Sequence, residues 1–297
     1  MNDPAPNAIQ RIEARSAEIG GGLAVNRLLP SRHRRMIGAW CFLDHAGPAA
    51  FAPGGGMRVG QHPHIGLQTF TWMIEGEVLH RDSLGNAQMI RPGQVNLMTA
   101  GRGIAHTEES PDGETVLHAA QLWIALPESH CDCPPAFDHY PELPRWSEGG
   151  CDFTLLAGAW GRHRAPARLY SPLAGVDLHS ASGARLDLPL DPAFEYGLMV
   201  LEGAASIDGE TCAANELAYM GRGRDRCALA LAPAARAILV GGEPFGRDIH
   251  MWWNFVAPDR ARIVQAQRDW ESGAARFGEV PGFDGPRLVA PALPPGY

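Results

Sequence analysis

Between Gly66 and Met98 the chain alternates short apolar stretches with turn residues at intervals too brief for helices. Gly66 to Ile74 has the alternation of a strand, Glu75-Gly76 breaks it, and Val78 to Asp82 resumes it. Ser83-Leu84-Gly85-Asn86 and Arg91-Pro92-Gly93 form the next turns, the latter with proline suited to position i+1. Gln88 to Ile90 lies between them and Val95 to Met98 follows. This is a meander, the pattern by which an all-β barrel closes over its own edges, and Leu117 to Leu126 completes it. Side chains two apart on a strand share a face. Gly66, Gln68, Phe70 and Trp72 therefore face inward together, with Phe70 and Trp72 as core.

The second half repeats the first. Met199-Val200-Leu201-Glu202-Gly203 echoes Trp72-Met73-Ile74-Glu75-Gly76, and Tyr219-Met220-Gly221-Arg222-Gly223 echoes Thr99-Ala100-Gly101-Arg102-Gly103. Such a duplication predicts two barrels of one design. The expected division is a first barrel over 1–130, a Pro- and Cys-containing connector over 131–150, and a second barrel over 151–297 that carries a helix and tail. The helix is predicted from an apolar pattern at Ile263, Ala266, Gln267 and Trp270, with Asp259 as N-cap and Gly273 as C′ residue. The first twenty residues read as a loose polar arm with a helical turn around Ile9 to Glu18.

Composition narrows the function. Thirty-five glycines and 25 prolines in 297 residues indicate many turns and short strands. A net charge of −8 argues against direct nucleic-acid binding, which depends on phosphate neutralisation. All 25 basic residues are arginine, so Schiff-base and lysine-anchored pyridoxal chemistry is excluded. The six cysteines form no C-x-x-C pair and read as reduced thiols of a cytoplasmic protein. The N-terminus lacks an export signal, and no apolar run approaches the ~20 residues of a membrane span. A cytoplasmic monomer is expected.

Two short motifs carry the chemistry. His62-Pro63-His64 and His106-Thr107-Glu108 are each spaced i, i+2, so each pair can look into one cavity from an extended strand. About forty residues of strand and turn separate them, enough to bring two barrel strands face to face. His62, His64, His106 and Glu108 would make a mixed N/O site for a divalent first-row metal, leaving two open positions on an octahedral ion. Counted from the repeat, the corresponding positions of the second half fall near Pro189, Asp191, Arg226 and Ala228, so one ion per chain is expected. Asp44 and His45 are further candidates to line the barrel mouth.

Gly56, five residues, then H-x-H resembles the first cupin motif, and the stretch from Pro92-Gly93 through Met98-Thr99-Ala100-Gly101-Arg102-Gly103-Ile104-Ala105-His106 resembles the second motif in its pirin form. The resemblance runs from about Arg27 to the C-terminal helix. It implies two tandem cupin barrels of the double-stranded β-helix, or jelly-roll, type. It also implies iron bound in the N-terminal barrel by His62, His64, His106 and Glu108, with Fe(II) favoured and Mn, Ni, Cu or Zn able to use the same donors. One departure is Gln68, where cupins and pirins commonly carry Glu. The activity implied is that of a quercetin 2,3-dioxygenase, which opens flavonols with O2, with Glu108 as both ligand and the base for the substrate hydroxyl. The alternative is a non-catalytic, metal- and redox-dependent regulator that binds a partner protein.

Overall fold

The computed structural model describes residues 8–19, 23–52 and 54–294. Strands dominate it and one α-helix, Arg260–Glu271, lies near the C-terminus. The contacts divide the chain into two compact units. Among the described residues, one comprises those of Glu18–Val25, Ala46–Pro141 and from Gly246 onward; the other comprises those up to Ala17, Asn26–His45 and Glu142–Phe245.

Each unit is built to the same plan, as the duplicated motifs require. In the first, a four-stranded sheet runs Arg58–His64, Ile104–Glu109, Val78–Asp82, Ala87–Ile90. The second has the same order in Ala184–Pro189, Arg226–Leu231, Ala204–Ile207, Glu210–Ala213. Larger sheets complete the barrels. In the first unit, Ala136–Tyr140, Val95–Thr99, Leu67–Glu75 and Val116–Ala125 lie side by side. The second unit's sheet has seven strands and includes Glu216–Arg222, Glu195–Glu202, Ala235–Gly242 and Leu173–Ser180.

Three boundary expectations are corrected. The segment around Ile9 to Glu18 is not helical. Gln10–Glu13 and Arg15–Ile19 are strands, and the former pairs antiparallel with Glu216–Arg222, burying Ile12 and joining Arg11 to Glu216 at 2.6 Å. The connector is not a free crossing: Ala136–Tyr140 pairs with Val95–Thr99 in the first unit, whereas Arg145–Glu148 pairs with Cys151–Ala157 in the second. The helix and tail do not belong to the second barrel. Residues from 246 onward group with the first unit, because Ile263, Ala266 and Trp270 are buried in one cluster with Phe255, Phe277, Ile65 and Ala105. Conversely, 26–45 belongs to the second unit, where the Trp40 indole N–H is shared by the Ala174 and Gly241 carbonyls at 3.2 Å each.

The helix itself matches its sequence signals. Asp259 caps it by accepting from the Arg262 amide at 2.9 Å. Gly273, at φ +72°, ends it with its amide on the Trp270 carbonyl.

Candidate metal centre

The strands Arg58–His64 and Ile104–Glu109 pair antiparallel, with His62 directly opposite His106 and Ile104 opposite His64. Period-two alternation sends both histidines of the first strand inward, and the pairing puts His106 between them. The metal-ligating atoms of His62, His64 and His106 all lie within 4.8 Å of one another, and all three residues are buried. The Nε2 atoms of His64 and His106 are 3.0 Å apart. The His62 and His106 rings sit 4.2 Å apart between centroids, and the Trp123 ring meets His64 edge-on at 5.2 Å.

Backbone irregularity at this point serves the geometry. The register shifts between His106 and Glu108, where the partner strand carries an extra residue. There the Gly60 carbonyl accepts from His62 Nδ1 at 2.8 Å. A carbonyl can only accept, so His62 carries its proton on Nδ1 and Nε2 keeps a free lone pair. A parallel bridge from Gln61 to Arg287 and a 2.8 Å bond from the Leu288 amide to the Gln61 carbonyl tie the tail along this strand. Gly66, just after His64, has φ +66°, and a Cβ there would lie 2.0 Å from the Val256 carbonyl oxygen. Glycine is required at that approach.

The electrostatics favour neutral imidazoles. Burial lowers His62 to about 4; the hydrogen bond to Gly60 opposes the shift and the neighbouring His80 adds to it. Burial also holds His64 and His106 well below the usual histidine range, and the neighbouring imidazoles reinforce this. Three neutral imidazoles converging in a buried pocket, two with Nε2 atoms facing each other, are a donor set that a divalent first-row cation fits.

Glu108 stands apart from the three. It is half-buried, and its carboxylate is not in the group that converges within 4.8 Å. Burial raises its carboxyl above the ordinary range, with His80 and the Thr71 hydroxyl opposing the rise. Gln68 is fully buried and donates to Thr99 Oγ1 at 2.9 Å. Asp44 and His45 do not join the site: Arg27 binds Asp44 through two 2.7 Å contacts, and His45 lies 2.7 Å from Asn215 Oδ1. In the second unit, the strand partners Pro189 and Arg226 occupy the places of His62 and His106. The six cysteines are not disulfide-bonded, and Cys131 accepts from Arg262 at 3.0 Å.

The motif reading missed two residues. His80 and Asp82 are buried on Val78–Asp82, the strand that pairs with the other edge of Ile104–Glu109. His80 Nδ1 lies 3.3 Å from His106 Nδ1, and its Nε2 lies 3.1 Å from Asp82. The available signal was a further His-x-Asp at i, i+2 in a strand already recognised.

Comparison with known proteins agrees with this architecture. The family described as Pirin matches residues 22–124, and that described as Pirin C-terminal cupin domain matches 175–278. A Pseudomonas aeruginosa protein provisionally named a quercetin 2,3-dioxygenase is 65% identical over 96% of this chain and 91% of its own length. A pirin-like protein of Caulobacter vibrioides is 36% identical over 90% of this chain and 94% of its own. A crystal structure of quercetin 2,3-dioxygenase from Acinetobacter baumannii superposes with a TM-score of 0.95 at 50% identity, covering 97% of each chain.

Proposed function

The chain belongs to the pirin family of bicupins, and from that premise we propose that it is a metal-dependent dioxygenase that opens flavonol-like substrates with O2. The observation that carries this reading is the buried convergence of His62, His64 and His106 on one point. The 65% identical relative and the Acinetobacter structure, both named for quercetin 2,3-dioxygenase, support the substrate class.

In this reading His62, His64 and His106 hold one divalent ion through neutral nitrogens. Fe(II) is the ion the family resemblance favours, and Mn, Ni, Cu or Zn suit the same donors. When bound, the metal supplies a Lewis acid and a template for substrate and O2. Glu108, two residues beyond His106, is proposed as the fourth ligand and as the base for the flavonol hydroxyl, since burial raises its carboxyl above the ordinary range and so makes the carboxylate a stronger base. Trp123, edge-on to His64, supplies an apolar wall beside the site.

Iron-reconstituted protein mixed with a flavonol in air tests this. Loss of the flavonol's visible absorbance, dependent on about one bound ion per chain, is the expected result. A protein that holds iron at these histidines yet leaves flavonols intact would instead be read as a metal-dependent regulator that binds a partner protein.

A further inference from the structure

We propose that His80 and Asp82 form a positioning pair that fixes the tautomer and ring orientation of His106, presenting its Nε2 lone pair to the metal. The inference rests on the reading of His106 as a ligand and is independent of the reaction catalysed there.

The argument starts at the turn. Asp82 is fully buried, and its carboxylate closes the turn Asp82–Asn86. Oδ1 accepts from the amides of Leu84 at 2.9 Å and Asn86 at 3.2 Å and from Asn86 Nδ2 at 3.0 Å. Oδ2 accepts from Asn86 Nδ2 at 2.9 Å and faces His80 Nε2 at 3.1 Å. So many donors on one buried carboxylate fix its position and make it an acceptor only. His80 must therefore carry a proton on Nε2.

The consequence passes across the ring. A neutral imidazole with its proton on Nε2 has a lone pair on Nδ1. That atom lies 3.3 Å from His106 Nδ1. Two facing nitrogens can share one proton, and His80 has already placed its own on Asp82. The shared proton is therefore that of His106 Nδ1, which leaves His106 Nε2 unprotonated. This is the nitrogen that faces His64 Nε2 at 3.0 Å. Phe137 stacks on His80 at 4.3 Å with a 12° interplanar angle, so the ring cannot turn away without losing that contact. The strand register puts Asp82 opposite His106 and His80 opposite Glu108. His80 is not among the three converging ligands and acts only through His106.

The opposite wiring is well defined and would disable the ligand. Asp82→Asn can turn its amide N–H towards His80 Nε2, forcing His80 to donate from Nδ1. His106 would then accept at Nδ1 and carry its proton on Nε2, the nitrogen the metal needs. His80→Phe keeps a ring against Phe137 and removes the acceptor altogether.

The test reads the proton directly. Long-range proton–nitrogen spectra of metal-free, 15N-histidine protein report the tautomer of each ring, and His106 is assigned by loss of its signals in His106→Gln. The expected wild-type result is a protonated Nδ1 and an unprotonated Nε2. In folded Asp82→Asn that tautomer should invert, and in folded His80→Phe it should become mixed. Zinc affinity, measured by competition with a chromogenic chelator, should fall about 10- to 100-fold in either variant, the range seen when a ligand histidine loses its supporting partner. A wild-type His106 protonated on Nε2 overturns the proposal whether or not the variants fold. So does an unchanged tautomer with zinc affinity within about twofold of wild type in the variants. Should wild-type protein bind no zinc through His106, the ligand reading fails, while the tautomer measurement still judges the pair.

Discussion

Acidifying the metal-free protein should remove stability in a window set by the three clustered histidines. His62 is 6% exposed and lowered to about 4 by burial, against an ordinary value of 6.5. An unfolded chain protonates this ring near pH 6.5, whereas the folded chain resists until about pH 4. In between, the unfolded state binds more protons, so stability falls as pH falls and is fully present only above 6.5. At about 1.4 kcal/mol per pH unit, His62 alone contributes a loss of about 3 kcal/mol across its window. His64 and His106 shift in the same direction for the same reason, so the slope near pH 5 is steeper than His62 alone would give. Against a typical stability of roughly 5–15 kcal/mol, that is a measurable loss of stability in mild acid. The assay is urea unfolding of chelator-treated protein from pH 7.5 to 4.5, with His62→Asn as comparison. The variant's slope should be shallower by about one proton. A wild-type stability that stays flat over this range, or a variant with the same slope, would refute the assignment of neutral, buried imidazoles.

Other perturbations have equally definite outcomes. Gly66→Ala puts a Cβ 2.0 Å from the Val256 oxygen at φ +66°; it should destabilise by more than the ~1–2 kcal/mol of left-handed strain alone, and a change under about 0.5 kcal/mol in chemical denaturation would contradict the close approach. Trp270→Ala empties a buried ring that donates to the Leu288 carbonyl at 2.8 Å and carries Arg287 over its face at 3.7 Å. A loss of about 3–5 kcal/mol with increased proteolysis of the tail is expected, and unchanged unfolding would show that the helix does not support the first barrel. Metal-loaded Glu108→Gln should bind flavonol but turn over ~10²–10⁴-fold more slowly if Glu108 is the base; wild-type turnover at full metal occupancy would remove that role.

The sequence revealed local rules and concealed their long-range consequences. His62 and His64 share a face by strand alternation alone, and the doubled motifs imply a second barrel strand to bring His106 to them. The helix was equally legible, because Asp259, the Ile263–Trp270 pattern and Gly273 are all local signals. Its partner was not. A helix face of Ile263, Ala266 and Trp270 seeks any apolar surface, and only the folded chain shows that Ile65 and Ala105, adjacent in sequence to His64 and His106, supply it. Gln10–Glu13 was misread because a strand of four residues has little periodicity, and its hydrogen-bonding partner lies two hundred residues away. His80 and Asp82 went unnoticed for a related reason. Their significance comes from pairing with Ile104–Glu109, and a lone His-x-Asp says nothing about which strand it will face. Glu108 shows the limit of alternation, since it shares a strand with His106 while its carboxylate remains outside the converging group.

The most direct test of the central claim is turnover of a flavonol under 18O2 by iron-reconstituted protein, with mass analysis of the product. Wild-type protein should form an opened product that carries both atoms of labelled oxygen, and a folded His106→Gln variant should form none. An opened product without the label, or equal turnover by the His106 variant, would contradict a dioxygenase centred on these three histidines.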